Sequence, residues 1–463
     1  MGLMPQDAYY YFYSQHPALS YFDHPPAIAW LLRIFTTLLG KHVFVLKLTD
    51  TIVSLLSLFV FYYLARHFLS LQRATNAVIL FFSTLMFTIL SLISTPDVPL
   101  ILFWCLSLLV LYHAIFLQKK YYWIWAGIMM GLAFDSKYTA IFLPAGTALF
   151  LMLSNKYRKH LSSPWPWLAA LCFIITISPV IIWNVQSNFA SFKFQSSQRA
   201  GSISLANLNP VSFLGVIAHQ SAILIPILFS ILIVVVYKYC RKYIFKRLKI
   251  SAEKLFLLCF FIPVFFGFFA VSFIYWIKLN WMMPAYISGI ILVSMYTGRR
   301  LIRYQLLFSL VIHLVLAVEV FFYPVNIKSD DTWEGWDKLA TEVQNRRSYY
   351  PTAFIFAADD YKTSAILNFY LPEFVYSVNV LGAPALQFDY IGTNLNALKG
   401  KDALYINSVP RFKNEQQENL YPDSLPAHFT SITQLEPILI KKNGKTILKF
   451  LVFLCKNYLP PSK

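Results

Sequence analysis

Negative charge is scarce through most of this chain. Of its 21 Asp and Glu residues only seven precede residue 325: Asp7, Asp23, Asp50, Asp97, Asp135, Glu253 and Glu319. Charged residues of either sign make up 13% of the 463, against roughly a quarter in a soluble domain, and 58% are hydrophobic. An ordinary water-soluble globule is excluded. The five cysteines, Cys105, Cys172, Cys240, Cys259 and Cys455, have neither metal-ligand spacing nor a disulfide framework, so they read as packing residues. Internal repeats and low-complexity stretches are also missing. The 39 Lys and Arg leave a net charge of +18, but they punctuate long apolar runs and form no basic patch, which argues against a nucleic-acid partner.

The apolar runs themselves set the fold class. A helix needs about 20 apolar residues to cross a bilayer. About ten segments qualify, near 42–64, 74–94, 98–117, 121–136, 139–153, 165–184, 212–236, 255–275, 281–298 and 305–323, the fourth and fifth being short. Alternate loops collect Lys and Arg: Arg66 and Arg73, Lys119 and Lys120, Lys156 to Lys159, Lys238 to Lys249, and Arg299 to Arg303. Positive charge stays in the cytoplasm, so these loops face inward. The amino-terminal 40 residues, the Thr95-Pro96-Asp97 turn, the region of Lys137, residues 185–211 and the Lys278 loop then face outward, with everything after residue 324. The expected organisation is a polytopic α-helical membrane domain over 1–324 and a small extracytoplasmic α/β domain over 325–463. In the latter, residues 352–357 and 404–409 read as strands and 361–371 as a helix.

No span precedes the outward-facing first loop, which predicts a missing upstream helix. Residues 26–39 are apolar but short and contain Arg33, as suits a helix lying in the interface. The aromatic run Tyr9 to Tyr13, with Tyr21 and Phe22, suits the headgroup zone.

Rare carboxylates gathered on one face of a polytopic protein are functional candidates. Asp7, with no helix in view to cap, is a candidate general base or metal ligand. Asp97 lies between two prolines, where it serves as a helix N-cap, a catalytic acid or both. Asp23 and His24 fit a turn before the interfacial helix. Lys137 is either a phosphate-binding point charge or a partner of Asp135. Arg199, and Lys278 beside Asn280, are further candidates for holding an anionic group. His219-Gln220 reads as a satisfied polar pair inside the bundle.

The segments Asp7-Ala8-Tyr9-Tyr10, Tyr21-Phe22-Asp23-His24-Pro25-Pro26 and Thr95-Pro96-Asp97-Val98-Pro99-Leu100 carry a resemblance to a known family. It continues through Ser136-Lys137-Tyr138-Thr139, Trp183-Asn184, Phe194-Gln195, Arg199, Asn280-Trp281 and Gly335-Trp336. In this order they resemble the bacterial branch of the dolichyl-phosphate-mannose protein mannosyltransferases, GT-C glycosyltransferases that include the aminoarabinose transferases of lipid A.

The resemblance implies transfer of a sugar, with inversion, from a polyprenyl-phosphate donor to a lipid, glycan or protein acceptor at the outer face of the bacterial inner membrane. It places catalytic acids at Asp7 and Asp97, which are also the possible ligands of a divalent metal; no other cofactor is implied. Substrate contacts fall to Lys137, Arg199, Tyr9, Tyr10, Asp23, His24, Lys278 and Asn280. Many relatives carry adjacent Asp-Glu where this chain has Gln6-Asp7, so a paired carboxylate is lacking. The rival reading is a transporter or flippase of lipid-linked sugars, which predicts paired repeats or broken helices; the sequence displays neither.

Overall fold

The computed structural model describes residues 1–198, 208–246, 248–416 and 420–461. The chain opens with α1 (Pro5–Gln15) and α2 (Ala27–Leu39), then α3 (Val43–Phe68), α4 (Leu71–Phe82), α5 (Leu85–Leu92), α6 (Asp97–Ile115), α7 (Tyr122–Phe134) and α8 (Phe142–Leu153). There follow α9 (Pro164–Thr176), α10 (Ser178–Gln186), the single turn α11 (Ala190–Lys193), α12 (Pro210–Leu224), α13 (Pro226–Tyr239), α14 (Ala252–Val271), α15 (Met283–Ser294) and α16 (Arg299–Phe322). Among the described residues four helices, α3, α6, α14 and α16, are long and apolar enough to cross a membrane.

Three further spans expected from the sequence are bent pairs. α4 and α5 meet at 61°, α9 and α10 at 46°, and α12 and the helix after it at 112°. This corrects the expectation of unbroken helices. The breaks fall at Ser83-Thr84, at Ile177 just ahead of Ser178-Pro179, and at Ile225 just ahead of Pro226, where a hydroxyl competes for backbone bonds or proline removes a donor.

A side chain supplies what two of these breaks lose. Gln305 on α16 donates from Nε2 to Leu224 O (3.1 Å) and to Ser83 Oγ (3.2 Å), and accepts at Oε1 the Leu228 N–H (3.0 Å). One turn on, Ser309 Oγ donates to Ser83 O at 2.8 Å. Elsewhere small residues let helices close up. A Cβ at Gly127 would lie 2.2 Å from Ala169 O, and one at Gly131 would lie 2.5 Å from Thr176 Cβ, so the α7 backbone lies against the α9 backbone at the first and an α9 side chain at the second.

After α16 come α17 (Trp336–Tyr349), β1 (Phe354–Ala357), α18 (Lys362–Tyr370), β2 (Val375–Tyr376), β3 (Ala403–Ser408), the short α19 (Leu425–His428), β4 (Phe429–Gln434), β5 (Ile438–Lys442) and β6 (Lys445–Tyr458). The strands form one mixed sheet in the order β2-β1-β3-β6-β4, with β5 also on β6. β1 runs parallel to β2 and β3, and β6 antiparallel to β3, β4 and β5. The alternation of β-strand side chains divides it into two cores. Ile355, Leu404, Ile406 and Val452 belong to the cluster continuous with the helices, while Phe356, Tyr405, Phe453 and Phe429 form a second cluster.

The tail packs directly on α1. The α1 aromatics expected in the headgroup zone are buried: Tyr9 keeps 2% of its surface, Phe12 3% and Tyr13 none. Tyr11 meets Phe369 of α18 edge-on at 5.0 Å, and Phe12 stacks on Phe388 at 4.4 Å. α2 behaves as expected of an amphipathic helix: Ile28 and Leu32 are buried while Ile34, Leu38 and Leu39 are exposed, and Arg33 donates to Ser14 O at 2.7 Å.

Candidate active site

Where α1, the α5–α6 turn, the end of α7, the 275–283 segment and the tail converge, the fold leaves a cavity of about 780 Å³. Its apolar lining includes Ile89, Ile93, Ile141, Phe142, Phe268 and Val271. Its polar lining includes Gln6, Tyr9, Asp23, Asp97, Lys137 and Asn280.

Asp97 is the first residue of α6, following Pro96 at the cap position, and its carboxylate suits the positive end of that helix. It does not cap. Lys137 Nζ donates to both of its oxygens, at 2.8 and 2.9 Å, and Asn280 Nδ2 donates to Oδ2. Both charged groups are nearly enclosed, with side-chain exposures of 6% for Lys137 and 1% for Asp97. The partner of Lys137 is thus Asp97, 40 residues away, and not Asp135, whose backbone carbonyl instead receives the Ala27 N–H at the start of α2.

Asp7 corrects a premise of the sequence reading. A helix is there: α1 begins at Pro5, and Asp7 in its first turn accepts the Met4 N–H at 2.8 Å. Lys47 of α3 donates to that same oxygen, Oδ2, and the other, Oδ1, accepts the Ser94 N–H at 2.8 Å. Asp7 is fully buried and does not line the cavity; its neighbour Gln6 does, and Gln6 Nε2 donates to Asp331 of the tail at 3.1 Å. Asp7 and Asp97 are nonetheless neighbours, joined through the Ser94–Asp97 turn.

Asp23 lines the cavity and does not cap α2. Its Oδ1 accepts the phenols of Tyr9, at 3.2 Å, and Tyr13, while Gln195 Nε2 donates to its backbone oxygen at 2.5 Å. Burial and the Asp23 charge hold the Tyr9 phenol well above the usual tyrosine range, so it stays a proton donor. Tyr10, His24 and Lys278 also line the cavity, His24 with its ring 6.0 Å from that of Tyr10. Arg199 lies outside the described residues.

Sequence reasoning missed three groups. Lys47 and Asp50 sit one turn apart near the start of α3, and charges inside an apolar run are the signal that marks them; Ser94 Oγ donates to Asp50 Oδ2 at 2.7 Å. Tyr361 comes from the tail, stacks on Tyr9 at 4.2 Å and lines the cavity with Leu386. Gln387 fastens that contact, its N–H donating to Tyr9 Oη (3.3 Å) while its Oε1 accepts the Phe22 N–H (2.8 Å). In the predicted His219-Gln220 pair, Gln220 is satisfied, donating to Leu279 O at 3.1 Å and accepting from Tyr286 Oη at 2.6 Å, whereas His219 Nδ1 is buried without a hydrogen bond.

The possible metal role of Asp7 and Asp97 fits poorly. Their oxygens already receive ammonium, amide and backbone donors, and the described residues bring no three His, Cys, Asp or Glu side chains together as a metal set.

Comparison of the coordinates with solved structures settles the architecture. ArnT from Cupriavidus metallidurans bound to undecaprenyl phosphate superimposes with a TM-score of 0.59 at 12% identity, covering 97% of this chain and 92% of that one. The fold is ArnT-like. The apo state of the same protein gives 0.58 at 14% identity, over 98% and 93%. An oligosaccharyltransferase from Archaeoglobus fulgidus gives 0.50 at 13% identity, covering 88% of this chain and 64% of that one. Residues 23–183 match the profile of the dolichyl-phosphate-mannose-protein mannosyltransferase family. A lipid A galacturonosyltransferase, RgtD of Rhizobium johnstonii, is 25% identical over 238 residues, which are 51% of this chain. That match spans about half of the curated relative's length, 49%. The resemblance drawn from the motifs agrees with both: the profile match falls in the mannosyltransferase family over residues 23–183, and the likeness to ArnT is one of fold.

Proposed function

We propose that this chain is a membrane glycosyltransferase that moves a sugar from a polyprenyl phosphate to a hydroxyl-bearing acceptor at the outer face of the bacterial inner membrane. The observation that carries the reading is the mixed lining of one cavity: apolar side chains of prenyl-like chemistry share it with the hydrogen-bonded Asp97, Lys137 and Asn280 cluster. A lipid carrier has that same division between an apolar tail and an anionic head. The basic loops of the sequence support the outward placement, since the loops that line the cavity before residue 325 belong to the set poor in Lys and Arg.

In this reading the acceptor oxygen attacks the anomeric carbon as the bond from that carbon to the phosphate oxygen breaks, with inversion. Lys137, held by Asp97 and Asn280, meets the negative charge that accumulates on the leaving phosphate in a site largely closed to water, where such stabilisation is strongest. Lys278 at the rim and Arg199 are further anion contacts. Taking the acceptor proton requires a carboxylate facing the cavity. Asp23 has that placement; Asp7, expected as the base, enters the proposal as the buried anchor that fixes α1 to α3 and to the Asp97 turn. Tyr9 and Tyr10 shape the sugar-side wall, with His24 beside them. No step is routed through a metal.

The test is incubation of the purified protein with a panel of labelled polyprenyl-phosphate sugars and membrane acceptors. Label is expected in a new glycolipid, glycan or glycoprotein, with Lys137→Ala raising the donor requirement at least about tenfold, as suits loss of one charge-assisted contact. Movement of labelled lipid across vesicles without any transfer would replace the enzyme by a transporter.

A further inference from the structure

The motifs around Trp183-Asn184 and Phe194 have no part in the reaction above, yet they build a second hollow. It has a volume of about 510 Å³ and is lined by Phe22, Gln186, Ser187, Asn188, Ala190, Lys193 and Tyr390. These residues come from the first loop, the segment after α10 and the tail.

The hollow's floor is strained. Asn188 (φ 52°) and Phe189 (φ 58°) are both left-handed, which is uncommon for one non-glycine residue and costly for two in succession. Buried Asn184 imposes the turn: its backbone oxygen accepts the Phe189 N–H at 2.6 Å, its Oδ1 accepts the Phe192 N–H at 3.1 Å, and its Nδ2 donates to Val180 O at 3.0 Å. A turn held this firmly against its own preference points to a use for its shape.

The wall is aromatic. Tyr390 of the tail stacks on Phe22 at 5.2 Å with planes 14° apart, and its other neighbour is the Trp183 ring at 5.5 Å. Phe22 in turn meets Phe194 at 4.8 Å. This pair of rings is the partition between the hollow and the catalytic cavity, for Asp23 and Phe194 line the cavity while Phe22 and Lys193 line the hollow. An exposed cation, side-chain amides and a partly exposed tyrosine ring are the groups that hold a sugar carrying a negative substituent.

We propose that this hollow is the acceptor subsite and that it binds an anionic saccharide. The proposal rests on the transferase reading: one acceptor would reach from Tyr390 and Lys193 over Phe22 to Asp23, so that only its reacting end crosses the aromatic partition to meet the donor.

The test measures binding by the full-length protein in detergent, without turnover, by quenching of tryptophan fluorescence, since Trp183 adjoins Tyr390. N-acetylglucosamine 1-phosphate is the probe and uncharged N-acetylglucosamine the control; undecaprenyl phosphate is titrated separately. Saturable binding of the phosphorylated sugar is expected, weakened at least about tenfold by Tyr390→Ala. Lys193→Ala should weaken the phosphorylated sugar and leave the neutral one unchanged. Undecaprenyl phosphate should bind all three proteins alike, which certifies their folding. Competition by lipid A would place the saccharide on a glycolipid, and its absence on a free or polymer-borne sugar. If undecaprenyl phosphate binds but the sugar phosphate does not, or binds the variants as well as the parent, the subsite is refuted while the transferase reading stands. If undecaprenyl phosphate itself fails to bind, it is the transferase reading that falls.

Discussion

Two ion pairs decide how the cavity is built, and they do different work. Lys47 and Asp7 lie beneath the lining, both nearly or wholly enclosed, so each is the other's counter-charge. Breaking such a pair costs about 3–5 kcal/mol because a bare charge remains, whereas removing both charges costs far less. Asp7→Asn should therefore lower the unfolding temperature sharply in detergent, and adding Lys47→Met should restore much of the loss. A general base at Asp7 predicts the opposite pattern: full stability with no transfer. Lys137 and Asp97 pair at the lining itself. Each of these residues except Lys47 stood out in the sequence as a rare charge, but their pairing did not, because partners 40 residues apart meet only once helices are placed. Asp7 looked like a free acid because the sequence from Met4 to Tyr13 lacks the apolar period that announces a helix; its aromatics are buried all round.

At the scale of elements, breaks in helices matter more than their lengths. Gln305 satisfies the last turn of α12, the first turn of α13 and the α4–α5 break at once. Gln305→Leu should cost about 1–3 kcal/mol for each backbone group left buried and unpaired, and α5 carries the cavity residue Ile89, so donor affinity should fall along with the unfolding temperature. Glutamate at 305 keeps the acceptor for Leu228 and should recover part of both. In the tail, Asp359 accepts the Thr363 N–H at the start of α18, and desolvation pushes its carboxyl up to about 7. The folded state then holds a proton that the unfolded chain has already released, so the contribution of Asp359 to stability is greatest in acid and declines as pH rises toward about 7. Thermal unfolding followed from about pH 5 to 8 should show that decline, reduced in Asp359→Asn. β1, α18 and β3 were legible from alternation and period. β6, the central strand, was not: within Lys445–Tyr458 the apolar run Phe450–Cys455 shows no alternation and reads equally as a piece of helix, and only its pairing with three strands decides.

For the whole molecule, the basic loops and apolar runs made the helical membrane domain visible from sequence, and the motif order made the family resemblance visible. The tail's part in the cavity was invisible, since Tyr361, Leu386 and Gln387 carry no charge or motif and act only by position. In the proposed transfer the helices and the tail act together, the lipid chain lying among the apolar lining residues while its phosphate reaches Lys137. Photocrosslinking tests this most directly. Undecaprenyl phosphate bearing a diazirine in its first isoprene units, irradiated with the purified protein and mapped by mass spectrometry, should label Ile89, Ile141, Phe142 and Phe268, and excess unlabelled carrier should suppress the labelling. Label confined to the exposed outer face of α16, at Leu307, Val311 and Leu314, would show that the carrier sees this protein only as a surface and would contradict the account.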